Sequence, residues 1–270
     1  KLTNNTLCIY IYKVFFLRYF NGALLMKWKK IGNILILDNK FTVQSDKQLK
    51  ELSDKHKVKT VMKVDHIHGT KREPVIKLLY GEDTETINKE NGCLFKLDLK
   101  KVMWSKGNNN ERIRIAKLVE DNETVIDMFA GIGYFSIPIG VHSNAKQVYS
   151  IEINPNSFHY LKENIKLNKI NNIIPLLGDC MDITPEYSAD RIIMGYVKTT
   201  HHYLKTAIDS LNKGGVIHYH ETVPEKLMDT RPINRIKEVA GDRSVEFLKL
   251  NKVKKYSPGV FHVVCDARIN

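Results

Sequence analysis

Cysteine is scarce in this sequence and never closely paired. Cys8, Cys93, Cys180 and Cys265 are scattered through 270 residues with no C-x-x-C spacing. That excludes a disulfide framework and a zinc ribbon, and it makes a reducing, cytoplasmic compartment the expectation. An uninterrupted apolar run of membrane-spanning length is missing as well. The most apolar stretch, CIYIYKVFFLRYFNGALL, is broken by Lys13 and Arg18 and supplies no clean small-residue cleavage site, so it reads neither as a spanning helix nor as a secretory signal. Residues 1–25 are therefore expected to be an extension, non-native or disordered, with Met26 as a possible native start. Internal repeats and low-complexity linkers are absent. Charged residues at 27% beside ordinary aromatic content exclude a disordered chain. The length suffices for one large or two ordinary domains with a real core.

Acid is in short supply: 30 Asp+Glu face 42 Lys+Arg, a net charge of +12 that favours a polyanionic partner. The excess is unevenly placed. Residues 1–25 carry +3, residues 26–110 carry +7 (18 basic, 11 acidic) and residues 111–270 only +2 (21 basic, 19 acidic). Most of the attraction for a polyanion thus belongs to the N-terminal third.

The pattern changes with the charge. IGNILIL (31–37) reads as a short strand, and TVMKVDHIHG (60–69), EPVIKLLYG (73–81) and CLFKLDLKKVMW (93–104) as three more, giving a small basic strand-rich domain over 26–104. From residue 105 helix and strand alternate. ERIRIAKLVE (111–120) is helical, with Ile113, Ala116 and Lys117 at helical spacing. Buried-type strands follow at 124–129, 147–153, 173–179, 189–195 and 215–220. Between them lie helical segments, among them PNSFHYLKENIKLN with Phe158, Leu161 and Ile165 on one stripe. This alternation predicts an α/β domain over 105–270 with a doubly wound parallel sheet. Two long strands around Ser257-Pro258-Gly259 close it as an antiparallel hairpin.

The strongest chemical signal is DMFAGIGYFS, Asp127 to Ser136: a strand ending at Phe129, a glycine-rich turn, then a helix. Gly131 and Gly133 let the backbone turn sharply and approach a ligand. A dinucleotide fingerprint needs a third glycine, and Ser136 stands there instead. Glu152 ends the second strand 21 residues after Gly131, where a carboxylate can accept hydrogen bonds from both ribose hydroxyls of an adenosine ligand. Gly178-Asp179-Cys180 closes the third strand, placing an acid where it can meet the exocyclic amine of adenine. Acids at three strand ends, Asp127 included, with no basic group for a phosphate, suit a cationic sulfonium nucleoside better than a pyrophosphate.

DMFAGIGYFSIPIG, IEINPNSFHYLKENIKLN, LLGDC and KKYSPGVFHVVCD together resemble the archaeal and eukaryotic tRNA guanosine-37 modifying enzymes, over roughly residues 45–270. These are class I S-adenosylmethionine-dependent transferases with a Rossmann-like domain. The resemblance implies S-adenosyl-L-methionine as group donor, held by Ser105, Lys106, Arg112, Phe129, Gly131, Glu152, Asp179 and Cys180. Arg112 is expected to pair with the methionine carboxylate. The methyltransferase branch carries Asn-Leu-Pro at the end of the fourth strand; here stands Met194-Gly195-Tyr196, which offers a nitrogen nucleophile no side-chain acceptor. The departure resembles instead the wybutosine-synthesis branch. That branch transfers the 3-amino-3-carboxypropyl group to a tricyclic guanosine-37 derivative of phenylalanine tRNA and releases methylthioadenosine; guanosine-37 methylation is the alternative. Because the sulfonium has three electrophilic carbons, the one held in line with the nucleophile decides which group moves. Tyr134 and Tyr196 are the candidate catalytic residues, each as readily explained by packing, and no general base is identifiable.

His218 and His220, two apart on the fifth strand, lack a third ligand at known spacing and read as structural, so no metal is expected. His66 and His68, with Lys55, Lys57, Lys59, Lys63, Lys71 and Arg72, are expected to contact tRNA, and Lys249, Lys252, Lys254 and Lys255 form a second basic cluster. A monomer is expected.

Overall fold

The computed structural model describes residues 28–69, 71–197 and 199–270, and the side chains of these except Lys106. The expected extension, residues 1–25, lies outside the described residues. In the N-terminal part, β1 (Trp28–Ile31), β2 (Ile34–Leu37), β3 (Thr60–His68) and β4 (Glu73–Tyr80) form a four-stranded sheet in that order, with β2 parallel to β3 and the other pairs antiparallel. IGNILIL is thus two strands rather than one. Gly32, at φ +52°, and Asn33 make a two-residue turn that pairs Ile31 with Ile34, the geometry that short hairpins select. The crossover from β2 to β3 carries a helix that hydrophobic periodicity missed, α1 (Asp46–His56). Its capping was legible: Ser45 Oγ accepts from the Gln48 amide at 3.2 Å and Gln48 Oε1 accepts from the Gln44 amide at 2.9 Å. Leu49 packs with Leu35, Leu37, Val58 and Val61 as a core separate from the rest.

A second hairpin follows, β5 (Glu85–Glu90) with β6 (Cys93–Asp98). The expected strand over 93–104 stops at Asp98, whose carboxylate accepts from the Lys100 amide and whose carbonyl accepts from Val102, both at 2.9 Å. ETINKE went unrecognised because it has one apolar side chain, Ile87, and that one is exposed.

The remainder is a seven-stranded sheet: β7 (Thr124–Asp127), β8 (Gln147–Glu152), β9 (Ile173–Leu177), β10 (Ala189–Met194), β11 (Leu211–Pro224), β12 (Val245–Ser257) and β13 (Val260–Ile269). Their order is β12-β13-β11-β10-β7-β8-β9. The first five are parallel, and β13 runs antiparallel between β11 and β12. The strand order reverses its progression between β7 and β10, the switch point where open α/β sheets bind ligands. Buried Ile115, Ile137 and Tyr160, from α2 (Asn109–Leu118), α3 (Ser136–His142) and α4 (Pro155–Leu167), share a core with the β5–β6 hairpin. The short α5 (Cys180–Ile183), α6 (Leu204–Asp209) and α7 (Arg231–Val239) contribute to the core that contains Ile192, Ile217 and Tyr219.

Two helical stripes are rotated from expectation. On α2 the buried face is Glu111, Arg112, Ile115 and Ala116, with Ile113 half-buried and Lys117 exposed. On α4 it is Ser157, Tyr160, Leu161 and Asn164. Polar residues occupy both faces because they have partners there. Asn164 accepts from the Lys96 amide (2.7 Å) and donates to the Lys96 and Ile132 carbonyls; one turn on, Asn168 accepts from the Leu94 amide (2.8 Å) and donates to its carbonyl (2.7 Å). The outer edge of β6 is therefore paired with side-chain amides instead of another strand.

Candidate active site

A cavity of about 510 Å³ opens at the carboxyl ends of β7, β8, β9 and β10 and extends to Lys254 and Tyr256 of β12 and His262 of β13, a volume within the range of small-molecule sites. Its centre is the turn after β7. Gly131 has φ +59°, and a Cβ there would lie 2.8 Å from two carbons of the Tyr134 ring, so glycine is required both by conformation and by space. The turn is tied to the next strand: the Gly131 amide donates to Glu152 Oε2 and the Asn154 amide to Glu152 Oε1, each at 2.7 Å. Burial raises the Glu152 carboxyl above its ordinary range while these two amides oppose the shift. Each oxygen keeps lone pairs for a ligand hydroxyl.

Asp127, grouped by sequence with the ligand-facing acids, is corrected. It is wholly buried, does not line the cavity, and accepts from Ser136 Oγ at 2.7 Å, with Ser150 Oγ donating to Ser136 in turn. Burial pushes its carboxyl up to about 6. Its role is to hold the start of α3 against β7. Asp179 does line the cavity, and its Oδ1 accepts from the Met181 amide at 2.9 Å, starting α5. Cys180 lines it too, its thiol pushed up to about 12 by burial and then by Asp179. Phe129 stacks on Tyr196 (5.3 Å, 24°) and meets Tyr203 edge-on (5.0 Å, 89°). Gly195 is required by the Phe135 ring, 2.7 Å from where its Cβ would stand.

The opposite wall comes from the segment before α2. Arg112 is 1% exposed: NH1 donates to Glu90 Oε1 and NH2 to the Ser105 carbonyl, both at 2.6 Å, and the guanidinium lies 4.8 Å from the Trp104 ring and 4.6 Å from Tyr134. A carboxylate in the cavity would meet only its remaining N–H groups. The Tyr134 hydroxyl donates to the Met103 carbonyl, and burial raises this phenol far above its ordinary range. Ser105 Oγ stands 3.5 Å from Lys254 Nζ, whose ammonium is lowered by burial and then by Arg112, Lys29 and Arg72. Thus Ser105, Arg112, Phe129, Gly131, Glu152, Asp179, Cys180, Tyr134 and Tyr196 all border one cavity, while the Lys106 side chain lies outside the described residues.

Lys71, Arg72, Tyr203, Lys254, Tyr256 and His262 also line the cavity. Sequence assigned Lys71, Arg72 and Lys254 to tRNA alone, and His262 and Tyr256 gave no signal, since only the hairpin's register carries them to this end of the sheet. Lys63 is corrected: its ammonium donates to the Asn39 (3.1 Å) and Phe41 (2.6 Å) carbonyls and so holds the segment after β2. Lys55, Lys57, Lys59, Lys71, His66 and His68 are exposed, as are Lys249, Lys252 and Lys255. His218 is fully engaged, with Asp266 at 2.7 Å and Arg191 at 2.8 Å, while His220 meets His262 at 3.0 Å. No cluster of three metal-ligating side chains occurs among the described residues. Nor is any helix among them long and apolar enough to cross a membrane.

The family model described as TRM5/TYW2 methyltransferase domain matches residues 86–248, and that described as TYW2 N-terminal domain matches residues 21–84. A Methanocaldococcus jannaschii protein named tRNA(Phe) (4-demethylwyosine(37)-C(7)) aminocarboxypropyltransferase is 49% identical over 247 residues, 90% of this chain and 98% of its own. A Pyrococcus abyssi tRNA (guanine(37)-N(1))-methyltransferase is 40% identical over 89% of this chain and 74% of its own. The crystal structure of Pyrococcus horikoshii TYW2 in complex with MeSAdo superposes with a TM-score of 0.80 at 40% identity, covering 90% of each chain. With this sheet order, this crevice and these matches, the chain belongs to the TRM5/TYW2 family of class I S-adenosylmethionine-dependent transferases.

Proposed function

We propose that this protein transfers the 3-amino-3-carboxypropyl group of S-adenosyl-L-methionine to C7 of 4-demethylwyosine at position 37 of phenylalanine tRNA, releasing methylthioadenosine. The observation that carries the choice of reaction is the end of β10. Met194 is buried, Gly195 is closed off by Phe135, and Tyr196 is stacked on Phe129. None of the three offers the amide or carboxylate that holds an amine for methylation, whereas a ring carbon needs no such acceptor. The similarity in length and identity to the M. jannaschii aminocarboxypropyltransferase supports the same reading.

The donor set fits the sulfonium nucleoside: two carboxylates at one end of the cavity, a glycine whose added Cβ would strike Tyr134, and aromatic rings between. Glu152 holds the ribose and Asp179 the adenine amine, with Gly131, Phe129 and Cys180 closing around the nucleoside. Ser105, Lys106 and Arg112 direct the methionine arm, Arg112 chiefly through the Trp104–Tyr134 wall that it braces. When bound, the donor presents an electrophilic carbon beside its sulfonium. The protein's part is to fix that carbon in line with the nucleophile and keep water out. Tyr196, over Phe129, offers the target base a face to stack on.

The exposed lysines of the N-terminal sheet and of β12 hold the tRNA backbone, the protein acting as a monomer in the cytoplasm. Both sides of residue 105 thus contribute to both tasks: lysines for the tRNA lie on the N-terminal sheet and on β12, and Lys71, Arg72 and Met103 line the crevice together with the catalytic sheet. Purified protein, labelled S-adenosylmethionine and precursor tRNA provide the test. A gain of about 101 Da on the tRNA, with retention of carboxyl label, is expected, whereas a gain of about 14 Da would make the protein a methyltransferase.

A further inference from the structure

We propose that His262 is the proton acceptor of the transfer, positioned by His220 behind it; the inference rests on the transfer to a ring carbon proposed above. Substitution at such a carbon has an unavoidable proton balance. The ring supplies an electron pair to the new carbon–carbon bond, and the pair of the broken carbon–sulfur bond stays on sulfur. Positive charge therefore passes from the sulfonium to the ring. The ring becomes neutral again only when its carbon–hydrogen bond breaks, the pair returning to the ring and the proton going to a base.

The cavity holds few groups able to receive that proton. Lys71, Arg72 and Arg112 are cations, Lys254 is the ammonium beside Ser105, and the Cys180 thiol is itself pushed up to about 12. Both oxygens of Glu152 are engaged by amides, and Asp179 caps α5. These two acids end β8 and β9, four and five strands from β13 in the sheet order. At about 4.8 Å per strand their backbones lie roughly 19 Å or more away. His262, on β13, is paired with Thr222 near the carboxyl end of β11, two strands from the Gly195–Tyr196 wall and 2% exposed. Phe135 links the two places, lying under Gly195 while its ring meets His220 at 5.2 Å and 71°.

The two histidines are a diagonal cross-strand pair, with His220 Nδ1 and His262 Nε2 3.0 Å apart. Only one of these nitrogens carries a proton. If His262 Nε2 donates, its Nδ1 is left as an acceptor, and the proton of His220 sits on Nε2, a buried nitrogen without a hydrogen-bond partner beside Phe135. Burial and then His220 and Lys254 hold His262 down to about 2, and Glu111 offsets them only in part; burial and then His218 hold His220 down to about 3. His262 is therefore neutral and ready across the working pH range. A weak base suffices, because a cationic ring loses its proton downhill. Afterwards the nearby Lys254 ammonium drives the proton from the imidazolium to solvent.

The test uses the full chain and its His262→Gln and His262→Phe variants, with precursor tRNA carrying hydrogen or deuterium at the reacting carbon. Methylthioadenosine affinity by calorimetry is expected to stay within about twofold, while kcat falls about 100-fold. A primary deuterium isotope effect, absent in the unaltered protein, is expected to appear in both variants, and added imidazole to restore rate to a third variant, His262→Gly, whose missing ring leaves room for it. Nitrogen NMR of the unaltered protein with methylthioadenosine is expected to show His262 neutral with Nδ1 unprotonated. A protonated Nδ1, or variants within twofold of normal kcat with no isotope effect, would overturn the assignment while leaving the proposed reaction standing. A product heavier by only about 14 Da in the unaltered protein would instead remove the reaction and the assignment together.

Discussion

Replacing Glu90 by alanine isolates the buried Arg112 guanidinium, and the structure allows the cost to be worked out. Arg112 and Glu90 are 1% and 7% exposed at the side chain, their contact is 2.6 Å, and Arg112 Nε already has no partner. Removing the carboxylate leaves a full positive charge inside the protein with one carbonyl and two aromatic faces to stabilise it. Breaking such a pair from one side costs about 3–5 kcal/mol, and the rings at 4.8 and 4.6 Å, in contact before and after, do not offset it. A loss of about 3–5 kcal/mol is therefore expected for Glu90→Ala. Glu90→Gln, which keeps an oxygen for NH1, should lose about 1–2 kcal/mol. The double variant Glu90→Leu with Arg112→Met should lose less than Glu90→Ala, because no uncompensated charge remains. Urea unfolding of the unaltered protein, these three variants and the single changes Glu90→Leu and Arg112→Met, followed by circular dichroism, measures the differences and closes the cycle. A loss below about 1 kcal/mol for Glu90→Ala, or strictly additive single changes in the cycle, would refute the claim that this ion pair is buried and coupled.

Gly131→Ala should weaken S-adenosylmethionine binding at least about tenfold in calorimetry, since its methyl must displace Tyr134 and adopt a left-handed backbone costing about 1–2 kcal/mol. Asp127 holds its proton more tightly when folded, at about 6 against about 4 unfolded, so its contribution to stability is present at low pH and declines as pH rises between those values. The decline amounts to about 3 kcal/mol, and Asp127→Asn should remove that slope from a series of unfolding curves between pH 4 and pH 6. Replacing Lys249, Lys252 and Lys255 together by glutamine should reduce the dependence of log tRNA affinity on log salt by about 2, measured by filter binding. An unchanged slope would mean that β12 faces away from the tRNA.

The catalytic sheet was legible because its strands are short apolar runs alternating with helical segments, which implies parallel βαβ crossovers, whereas the strand order came only from the structure. The N-terminal sheet was less so. Its helix, DKQLKELSDKH, buries only Leu49 and Ser53 and therefore has almost no apolar period, and β5 has even less. In the crevice, Glu152 and Asp179 could be read from their places at strand ends, where topology dictates what a side chain can reach. Asp127 misled for the same reason: strand position places a residue at the cavity but not its rotamer, and Ser136 turns this one inward. His262 was invisible because the register shifts in the pairing of β12 with β13 cannot be counted from composition. Glu90 was missed because nothing local marks a carboxylate that waits for an arginine 22 residues away.

The two asparagines of α4 that bind the edge of β6 have a consequence for how the chain assembles. A lone two-stranded ribbon is marginal in water, and an open strand edge invites pairing with another molecule. Here the carbonyls and amides of Leu94 and Lys96 are satisfied by a helix that is itself built across the central sheet. Asn164 and Asn168 are one helical turn apart and Leu94 and Lys96 are two strand residues apart, rises of about 6 Å and about 6.6 Å. The near-match lets a helix serve as a template for one register of a strand. A hairpin slipped by a single residue would turn these groups away and leave four amide donors and acceptors stranded. The ribbon thus acquires both its lasting shape and its shield against aggregation only once the sheet behind α4 exists, so this stretch matures with the catalytic half of the molecule although it is translated ahead of it.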